Sequence, residues 1–201
     1  LRALLAAGVR AEAAIVTEPT KLAICPAHRG FAWIDVTLTG RAAHGSRYDL
    51  GVDAILHAAL LLTELDALEK TRSEGPIHPL LGRASLHASM IRGGVGMSTY
   101  PQRCDLALER RTLPGESARK ALREITDACD RVRVARPEFA AEVRLNTAQA
   151  PSDVPLDAPI VERLRSALES EGMPVTIEGL SAWTDAALLN EAGIPAVCFG
   201  P

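Results

Sequence analysis

The sequence predicts an α+β protein in which a split β-α-β-β-α-β unit is inserted into an α/β domain. Two observations support this fold class. A helix paired with a buried strand recurs at both ends of the chain, which is typical of a parallel sheet. Between them, strands and helices follow the order of the split unit. We therefore expect residues 1–22 and 151–201 to belong to the α/β domain and residues 23–150 to form the inserted unit.

The first segment predicts a helix, a buried strand and an abrupt exit from regular structure. The helix covers residues 1–8, where Gly8 is suited to its C-terminal end. An apolar run over residues 13–17 has the character of a buried strand. Glu18 follows, and Pro19 then ends the regular structure because proline cannot continue it.

Two periodicities define the middle of the chain. The strand over residues 31–39 is expected to have one solvated face, with Phe31 and Trp33 opposite Asp35 and Thr37. Further strands are predicted over residues 84–91, 103–111 and 142–147, and amphipathic helices over residues 51–70 and 117–134. This order gives the split βαβ, or ferredoxin-like, arrangement: an antiparallel sheet with two helices on one face.

The last segment returns to the helix–strand rhythm. A helix is predicted over residues 158–171, with Pro159 in its first turn and Gly172 after its end. A short strand over residues 175–178, a helix over residues 184–192 and a buried strand over residues 196–199 complete the chain.

Composition excludes several classes of protein. Of the 201 residues, 47% are hydrophobic and 23% charged, which is ordinary for a globular protein and excludes a disordered chain. The net charge of −3 argues against nucleic-acid or anionic-membrane partners. The longest apolar stretch, residues 54–62, is too short to span a bilayer. Because the chain begins at Leu1 and ends directly after an apolar run, we expect a fragment of a longer protein.

The cysteines predict a reducing compartment. Four cysteines are widely spaced and form no CxxC pair: Cys25, Cys104, Cys129 and Cys198. We expect buried, reduced thiols in a cytoplasmic protein, and neither a disulfide framework nor a zinc knuckle.

His44 and Glu18 are candidate functional residues. His44 lies in a loop rich in glycine, serine and arginine, where Arg41 and Arg47 favour its neutral form. Glu18 follows a buried strand, and ligand sites of α/β sheets lie at the carboxyl ends of strands. A surface loop histidine and an exposed turn glutamate are the alternatives.

Arg110 and Arg111 end a predicted strand beside a turn. Strand alternation places them on opposite faces, so one of them at most faces a site. An arginine there can hold a substrate carboxylate through two parallel hydrogen bonds. A solvated sheet edge is the alternative interpretation.

An ordered set of motifs extends over almost the whole chain. The motifs are Thr17-Glu18-Pro19-Thr20, His28-Arg29-Gly30, Gly40-Arg41-Ala42-Ala43-His44-Gly45-Ser46, Gly51-Val52-Asp53-Ala54-Ile55, Gly93-Gly94, Tyr100-Pro101-Gln102-Arg103-Cys104, Glu109-Arg110-Arg111-Thr112-Leu113-Pro114-Gly115-Glu116, Trp183-Thr184-Asp185-Ala186, Ala192-Gly193-Ile194-Pro195-Ala196-Val197 and Phe199-Gly200-Pro201. In order and spacing they resemble the ArgE/DapE/carboxypeptidase G2-type (M20) metallopeptidase and deacylase family.

This resemblance implies a catalytic α/β domain with an inserted dimerisation, or lid, domain. It also implies two metal ions, usually zinc with cobalt or manganese as substitutes, and a bridging water that attacks an amide carbonyl polarised by the metals. The expected substrates are N-acyl amino acids or small peptides, and the expected assembly is a homodimer through the lid.

The resemblance also assigns roles to individual residues. It implies that Glu18 is a metal ligand and that His44 enters the partner subunit's site and stabilises the oxyanion. Arg111 is similar to the arginine that holds the substrate carboxylate, and Thr184 lies in the segment that lines the substrate end of the cleft. Ser98 stands where many members have asparagine, so its single hydroxyl alters that substrate or oxyanion contact.

The remaining metal ligands of the family are missing from the sequence. No His-x-Asp segment, bridging aspartate or Glu-Glu pair occurs, and the C-terminal histidine is absent too. We therefore expect this chain alone to retain no zinc and to lack activity. A non-catalytic dimerisation module is the alternative for the chain itself, and a small-molecule-binding regulatory domain is a weaker third alternative.

Overall fold

The structure is a computed structural model that describes residues 1–72 and 74–201 in full. The helices are α1 (Arg2–Ala6), α2 (Ala54–Ser73), α3 (Ala118–Ala135), α4 (Pro159–Ser170) and α5 (Ala186–Glu191). The strands are β1 (Ala14–Val16), β2 (Ile24–His28), β3 (Gly30–Thr39), β4 (Ser85–Gly93), β5 (Arg103–Thr112), β6 (Ala140–Gln149), β7 (Ser152–Asp153), β8 (Ile177–Leu180) and β9 (Ala196–Cys198).

The long helices begin at side chains that cap them. Asp53 precedes α2, and its carboxylate accepts hydrogen bonds from the backbone N–H groups of Ile55 and Leu56. Ser117 precedes α3, and its hydroxyl accepts from Lys120 N–H. Such caps satisfy backbone donors that have no partner within the helix. They set the start of α2 three residues later than the periodicity predicts.

The central unit is an antiparallel sheet with the strand order β4-β5-β3-β6. Both α2 and α3 pack against one face of it, where the apolar side chains of β3 and β5 are fully buried. The chain order β3-α2-β4-β5-α3-β6 confirms the predicted split βαβ fold.

The orientation of β3 corrects the sequence analysis. Phe31, Trp33, Asp35 and Thr37 all lie on one face, because successive side chains of a strand alternate. The predicted opposition of the aromatic and polar residues is therefore wrong. The small and aliphatic residues between them, such as Ile34, pack under the helices, which leaves Trp33 47% exposed on the open face.

A second sheet is formed by segments that precede and follow the central unit along the chain. Its strand order is β1-β9-β2-β7, and β8 also pairs with β2. β1 and β9 are parallel, as expected for an α/β arrangement. The helix α4 packs on one face through Ile24 and Val197, and α5 packs on the other face around Cys25 and Cys198.

The sequence analysis did not identify β2, because Pro26 interrupts its short apolar run. A proline cannot donate to a neighbouring strand, although its carbonyl oxygen accepts a hydrogen bond from Val154 N–H at 3.0 Å. The strand pairs in the five-stranded sheet, whereas the sequence analysis assigned residues from 23 onward to the inserted unit. The division into domains itself stays a prediction.

The residue Arg110 connects the central sheet to its helices through buried ion pairs. Its guanidinium, 1% exposed, lies 2.7 Å from Glu116 Oε1 and 3.1 Å from Glu124 Oε2. Arg72 of α2 donates to the same Glu124 carboxylate at 2.7 Å. Burial raises the pKa of Glu116, but hydrogen bonds from Leu113 N–H and Arg110 outweigh it, so the net pKa is lowered.

Neither α2 nor α3, nor any shorter helix among the described residues, has the uninterrupted apolar length that a membrane-crossing helix requires.

The buried ion pairs of Arg110 predict a large effect on stability. We expect Arg110→Met to lower the free energy of unfolding by about 3 kcal/mol, because it leaves two half-buried carboxylates short of a cation. Arg144→Met is the matched control, since Arg144 pairs with Asp35 at 2.8 Å on the exposed face. It should cost less than about 1 kcal/mol. Urea unfolding of the 201-residue chain measures both, and equal losses would contradict the role of Arg110.

Candidate functional site

The predicted site residues fall into two separate groups. Glu18, Thr184 and Arg111 lie where the two sheets meet, a region we call the junction. His44 and Ser98 lie in two paired loops at the opposite end of the four-stranded sheet, a region we call the tip.

At the junction, Glu18 follows β1 in a tight turn. Its N–H donates to Val16 O at 2.8 Å, and a Cβ atom on Gly200 would lie 2.6 Å from its carbonyl oxygen. Only glycine therefore allows the segment after β9 to pass this close. The carboxylate of Glu18 has no hydrogen bond or ion pair among the described residues, so it is available to a ligand at the carboxyl end of the sheet.

The side chain of Thr184 faces the interior next to this turn. It is 3% exposed, and its hydroxyl accepts from Ala186 N–H at 3.2 Å and lies 3.1 Å from Cys198 Sγ. Burial raises the pKa of the Cys198 thiol, and the nearby charge of Glu18 raises it further, although the hydrogen bond with Thr184 opposes them. Because both contacts engage its hydroxyl, the Thr184 side chain holds the conformation of its loop and does not point to solvent.

The neighbouring Trp183 connects that loop to Arg111. Phe31 packs edge to face with Trp183 at a centroid distance of 6.2 Å, and the Arg111 guanidinium lies 5.7 Å from the Phe31 ring centre. Arg111 is 30% exposed and lies 3.1 Å from Glu109 Oε1. The buried indole N–H of Trp183 has no hydrogen-bond partner among the residues described. The predicted alternation holds, since Arg110 is buried on the other face.

The junction has a local excess of positive charge. Burial lowers the pKa of Arg29, and the charges of Arg111 and Arg83 lower it further, so three guanidinium groups influence one another. Arg29 itself donates to Leu81 O. Arg83 pairs with Glu69 and Arg111 with Glu109, so each of these two cations has a carboxylate partner. Arg111 lies beside Phe31, where its guanidinium favours an anionic group.

At the tip, backbone hydrogen bonds join the loops of His44 and Ser98. Gly45 N–H donates to Ser98 O at 2.8 Å, and Tyr100 N–H donates to Ala43 O at 2.9 Å. The loops are thus held together without using either residue's side chain. Both His44 and Ser98 are exposed.

The ring of His44 has a defined orientation. Ser46 N–H donates to His44 Nδ1 at 3.3 Å, and the Ser46 hydroxyl oxygen lies 2.8 Å from the same atom. Both contacts engage Nδ1, which leaves Nε2 as the ring nitrogen that has no hydrogen-bond partner among the described residues and faces solvent. Arg47 forms two hydrogen bonds with Asp49, at 2.9 and 2.7 Å, so its charge is offset locally.

The junction and the tip are far apart in one chain. β3 and β5 pair without a register shift from Phe31↔Arg111 to Thr39↔Arg103. Eight residues of strand span about 26 Å, and the His44 loop lies beyond that end. One copy of this chain therefore does not bring His44 to the site that contains Arg111.

The described residues do not form a metal centre by themselves. No group of three or more His, Cys, Asp or Glu side chains among them is arranged to hold an ion. Zinc in proteins takes three or four protein ligands, so Glu18 alone does not fit the requirement.

An apolar edge along β4 was not identified by the sequence analysis. Met90 and Ile91 on the edge strand β4 are more than half exposed, and Ile55 of α2 lies directly beside Gly93 and Gly94. A surface of this kind, together with unpaired strand N–H and C=O groups, is typical of an interface. The only sequence signal was the apolar character of β4, which equally fits a buried strand.

Comparison with known proteins identifies the relatives of this chain. The model of the M20 peptidase dimerisation domain matches residues 26–136. Acetylornithine deacetylase from Myxococcus xanthus is 29% identical over 197 residues, covering 96% of this chain and 50% of that protein. The chain thus spans about half the length of the curated relatives it matches.

Solved structures share the fold. The aminopeptidase PepT from Bacillus cereus superposes with a TM-score of 0.78 at 18% identity, over 96% of this chain and 49% of PepT. A hydantoinase/carbamoylase family amidase from Burkholderia multivorans gives a TM-score of 0.65 at 18% identity, over 87% of this chain and 41% of the amidase.

The isolated carboxylate of Glu18 predicts weak metal retention. After exposure of the 201-residue chain to zinc and buffer exchange, we expect less than about a tenth of an ion per chain, because one carboxylate does not compete with water. Elemental mass spectrometry measures this ratio. Glu18→Gln is the control and should give the same value. One or two ions retained by the unmodified chain and lost in Glu18→Gln would contradict this expectation.

Proposed function

Because the chain belongs to the M20 peptidase dimerisation domain family, we propose that it is part of a zinc-dependent amidohydrolase and supplies the unit through which two subunits pair. Relatives in this family hydrolyse amide bonds. We propose residues 1–22 and 151–201, together with β2, as parts of the catalytic domain and the rest of residues 23–150 as the lid. Residues outside this chain complete the active site.

The observation that favours this proposal most is the unpartnered Nε2 of His44 at the tip. No described residue of its own subunit contacts this nitrogen, so a proton on it is available as a hydrogen-bond donor, and it lies about 26 Å or more from Arg111 along the sheet. A donor held in this way stabilises negative charge on a carbonyl oxygen during amide hydrolysis. We propose that His44 does this in the partner subunit's site.

The positive charge of the junction suggests the substrate class. N-acyl amino acids and small peptides carry a carboxylate, and Arg111 is an accessible guanidinium held over Phe31. The unpaired indole N–H of Trp183 is a second donor nearby. The related protein from Myxococcus xanthus is named for an N-acetylated amino acid. We propose that Arg111 binds the substrate carboxylate and that the Thr184 loop lines the same subsite.

Ser98 has a related role at the tip. Its backbone carbonyl holds the His44 loop through Gly45, while its exposed hydroxyl is free to contact a bound substrate. We propose that Ser98 makes a substrate contact beside His44 in the partner's site.

Glu18 is the residue of this chain that we propose as a zinc ligand. This carboxylate is unpaired and lies at the carboxyl ends of β1 and β9, which suits a ligand. The described residues do not complete the ion's coordination, so the other ligands must come from outside this chain. A cytoplasmic location remains a prediction from the widely spaced cysteines.

The pairing surface that fits best is the edge of β4. Apolar side chains of β4 and the start of α2 are exposed together there, whereas the opposite edge strand, β6, carries Glu142 and Arg144. Main-chain pairing between two β4 edges would satisfy their free N–H and C=O groups. We propose a homodimer through this edge.

A second function applies to the 201 residues on their own. The missing metal ligands favour a non-catalytic dimerisation module for the isolated chain. It would pair through the same edge and show no hydrolysis, whereas the full-length enzyme would do both.

Mixed dimers test the position of His44. In the full-length enzyme, His44→Ala and Glu18→Ala subunits should each be inactive alone. If His44 serves the partner, mixing them in equal amounts restores about a quarter of the activity, because half of the dimers are mixed and each has one complete site. Activity after unfolding and refolding the mixture together measures this. No recovery, with dimers present by light scattering, would show that His44 does not act across the interface.

A conservative change tests Arg111. We expect Arg111→Lys to raise KM by about tenfold with kcat little changed. The lysine ammonium cannot donate the two parallel hydrogen bonds that a planar guanidinium donates to a carboxylate. Steady-state kinetics of the full-length enzyme measure both constants. A substrate amide without the carboxylate is the control and should be hydrolysed equally by both forms. A continued preference for the arginine enzyme with that substrate would exclude carboxylate binding.

A further inference from the structure

Two cysteines face each other across adjacent strands of the five-stranded sheet. Cys25 of β2 is the direct partner of Cys198 of β9, and the two strands are antiparallel. Directly opposite residues of an antiparallel pair point to the same face. Both thiols accordingly lie in one small core cluster, in which their neighbours include Ala23, Ala186 and Ala196.

The backbone fixes the spacing of the two cysteines. Opposite residues either exchange both backbone hydrogen bonds or leave these to their neighbours. The second pattern is excluded here, because Pro26 has no N–H and Phe199 N–H donates to Val16 O at 3.0 Å. Cys25 and Cys198 must therefore be a hydrogen-bonded pair, with Cα atoms about 5.5 Å apart.

This spacing lies in the range of disulfides, which join Cα atoms about 4.4–6.8 Å apart. Cys104 and Cys129, in contrast, belong to the core of the four-stranded unit and have no cysteine as a strand partner among the described residues. The other two thiols are therefore natural controls.

We propose that Cys25 and Cys198 form a reversible disulfide when the protein meets a hydroperoxide. One sulfur attacks the peroxide oxygen and becomes a sulfenic acid, and the O–O bond breaks to release an alcohol or water. The second sulfur then attacks the sulfenic sulfur and forms the S–S bond. The displaced hydroxide takes the proton of the second thiol and leaves as water. Two thiols lose two electrons and two protons in total, and the peroxide is reduced by the same two electrons.

Local environment makes the first step slow and the second fast. Burial raises the pKa of Cys25 to about 11, and burial also raises the pKa of Cys198, so both sulfurs are protonated near neutral pH. An exposed thiolate reacts faster with peroxide. Once one sulfur is oxidised, however, its partner is already in position across the strand pair.

The bond would connect distant parts of the chain. It links β2 to β9 and closes a loop that contains the whole four-stranded unit. It also draws Cys198 Sγ away from the Thr184 hydroxyl, which now lies 3.1 Å from it. Oxidation would therefore stabilise the sheet against unfolding while changing a contact at the junction. The proposal holds whether or not Arg111 or His44 has the role proposed above.

Thiol counting and peptide mapping test the pair directly. The purified 201-residue chain is exposed to hydrogen peroxide in the folded state, then denatured, alkylated and digested. We expect two of the four free thiols to disappear, a peptide linked through Cys25 and Cys198, and full reversal by dithiothreitol. The urea midpoint of the oxidised chain should be higher than that of the reduced chain.

The sequence offers internal controls for this experiment. Met97 is fully exposed, so its sulfoxide reports the peroxide dose. Cys25→Ser and Cys198→Ser should abolish the cross-link, while Cys104→Ser and Cys129→Ser should retain it. Four intact thiols at a dose that fully oxidises Met97 would overturn the proposal. A disulfide between any other pair, or between two chains, would overturn it as well.

Discussion

The uninterrupted ladder between β3 and β5 is the constraint on which the arrangement of this protein depends. Ten residue pairs stay in register from Gly30↔Thr112 to Thr39↔Arg103, and two helices pack along the whole length of one face. A strand pair held in this way neither bends nor slips, because a shift by one residue would expose the buried face. It therefore acts as a rigid spacer between the junction and the tip.

This spacer separates the candidate functional side chains into two regions. The junction offers a carboxylate and a guanidinium, whereas the tip offers a histidine whose Nε2 has no partner among the described residues. Neither region has a complete catalytic set. The roles proposed for these groups therefore require a second subunit, which agrees with membership of the M20 peptidase dimerisation domain family. The apolar edge at β4 is the surface that fits such an assembly.

Neighbouring residues of the same type have different tasks here, and strand alternation separates them. Arg110 is buried and pairs with Glu116, just before α3, and with Glu124 of α3, which also pairs with Arg72 of α2. Arg111, on the other face, remains accessible beside Phe31. Replacing either one therefore tests a different property, stability in the first case and substrate binding in the second. The paired cysteines illustrate the same rule in the other sheet, where alternation brings two thiols onto one face.

The sequence by itself determined the helices and the strands other than β2 and β7, since periodicity, prolines and glycines act locally, and the observed bounds of these predicted elements differ by three residues or fewer. It also determined that Arg110 and Arg111 face opposite ways. Tertiary structure decided which face of β3 is buried, because both faces contain apolar residues and the helices select one. It also decided the pairing of β2, the opposition of Cys25 and Cys198, and the separation of His44 from Arg111. These depend on contacts between residues far apart in the chain, and no local pattern specifies such contacts.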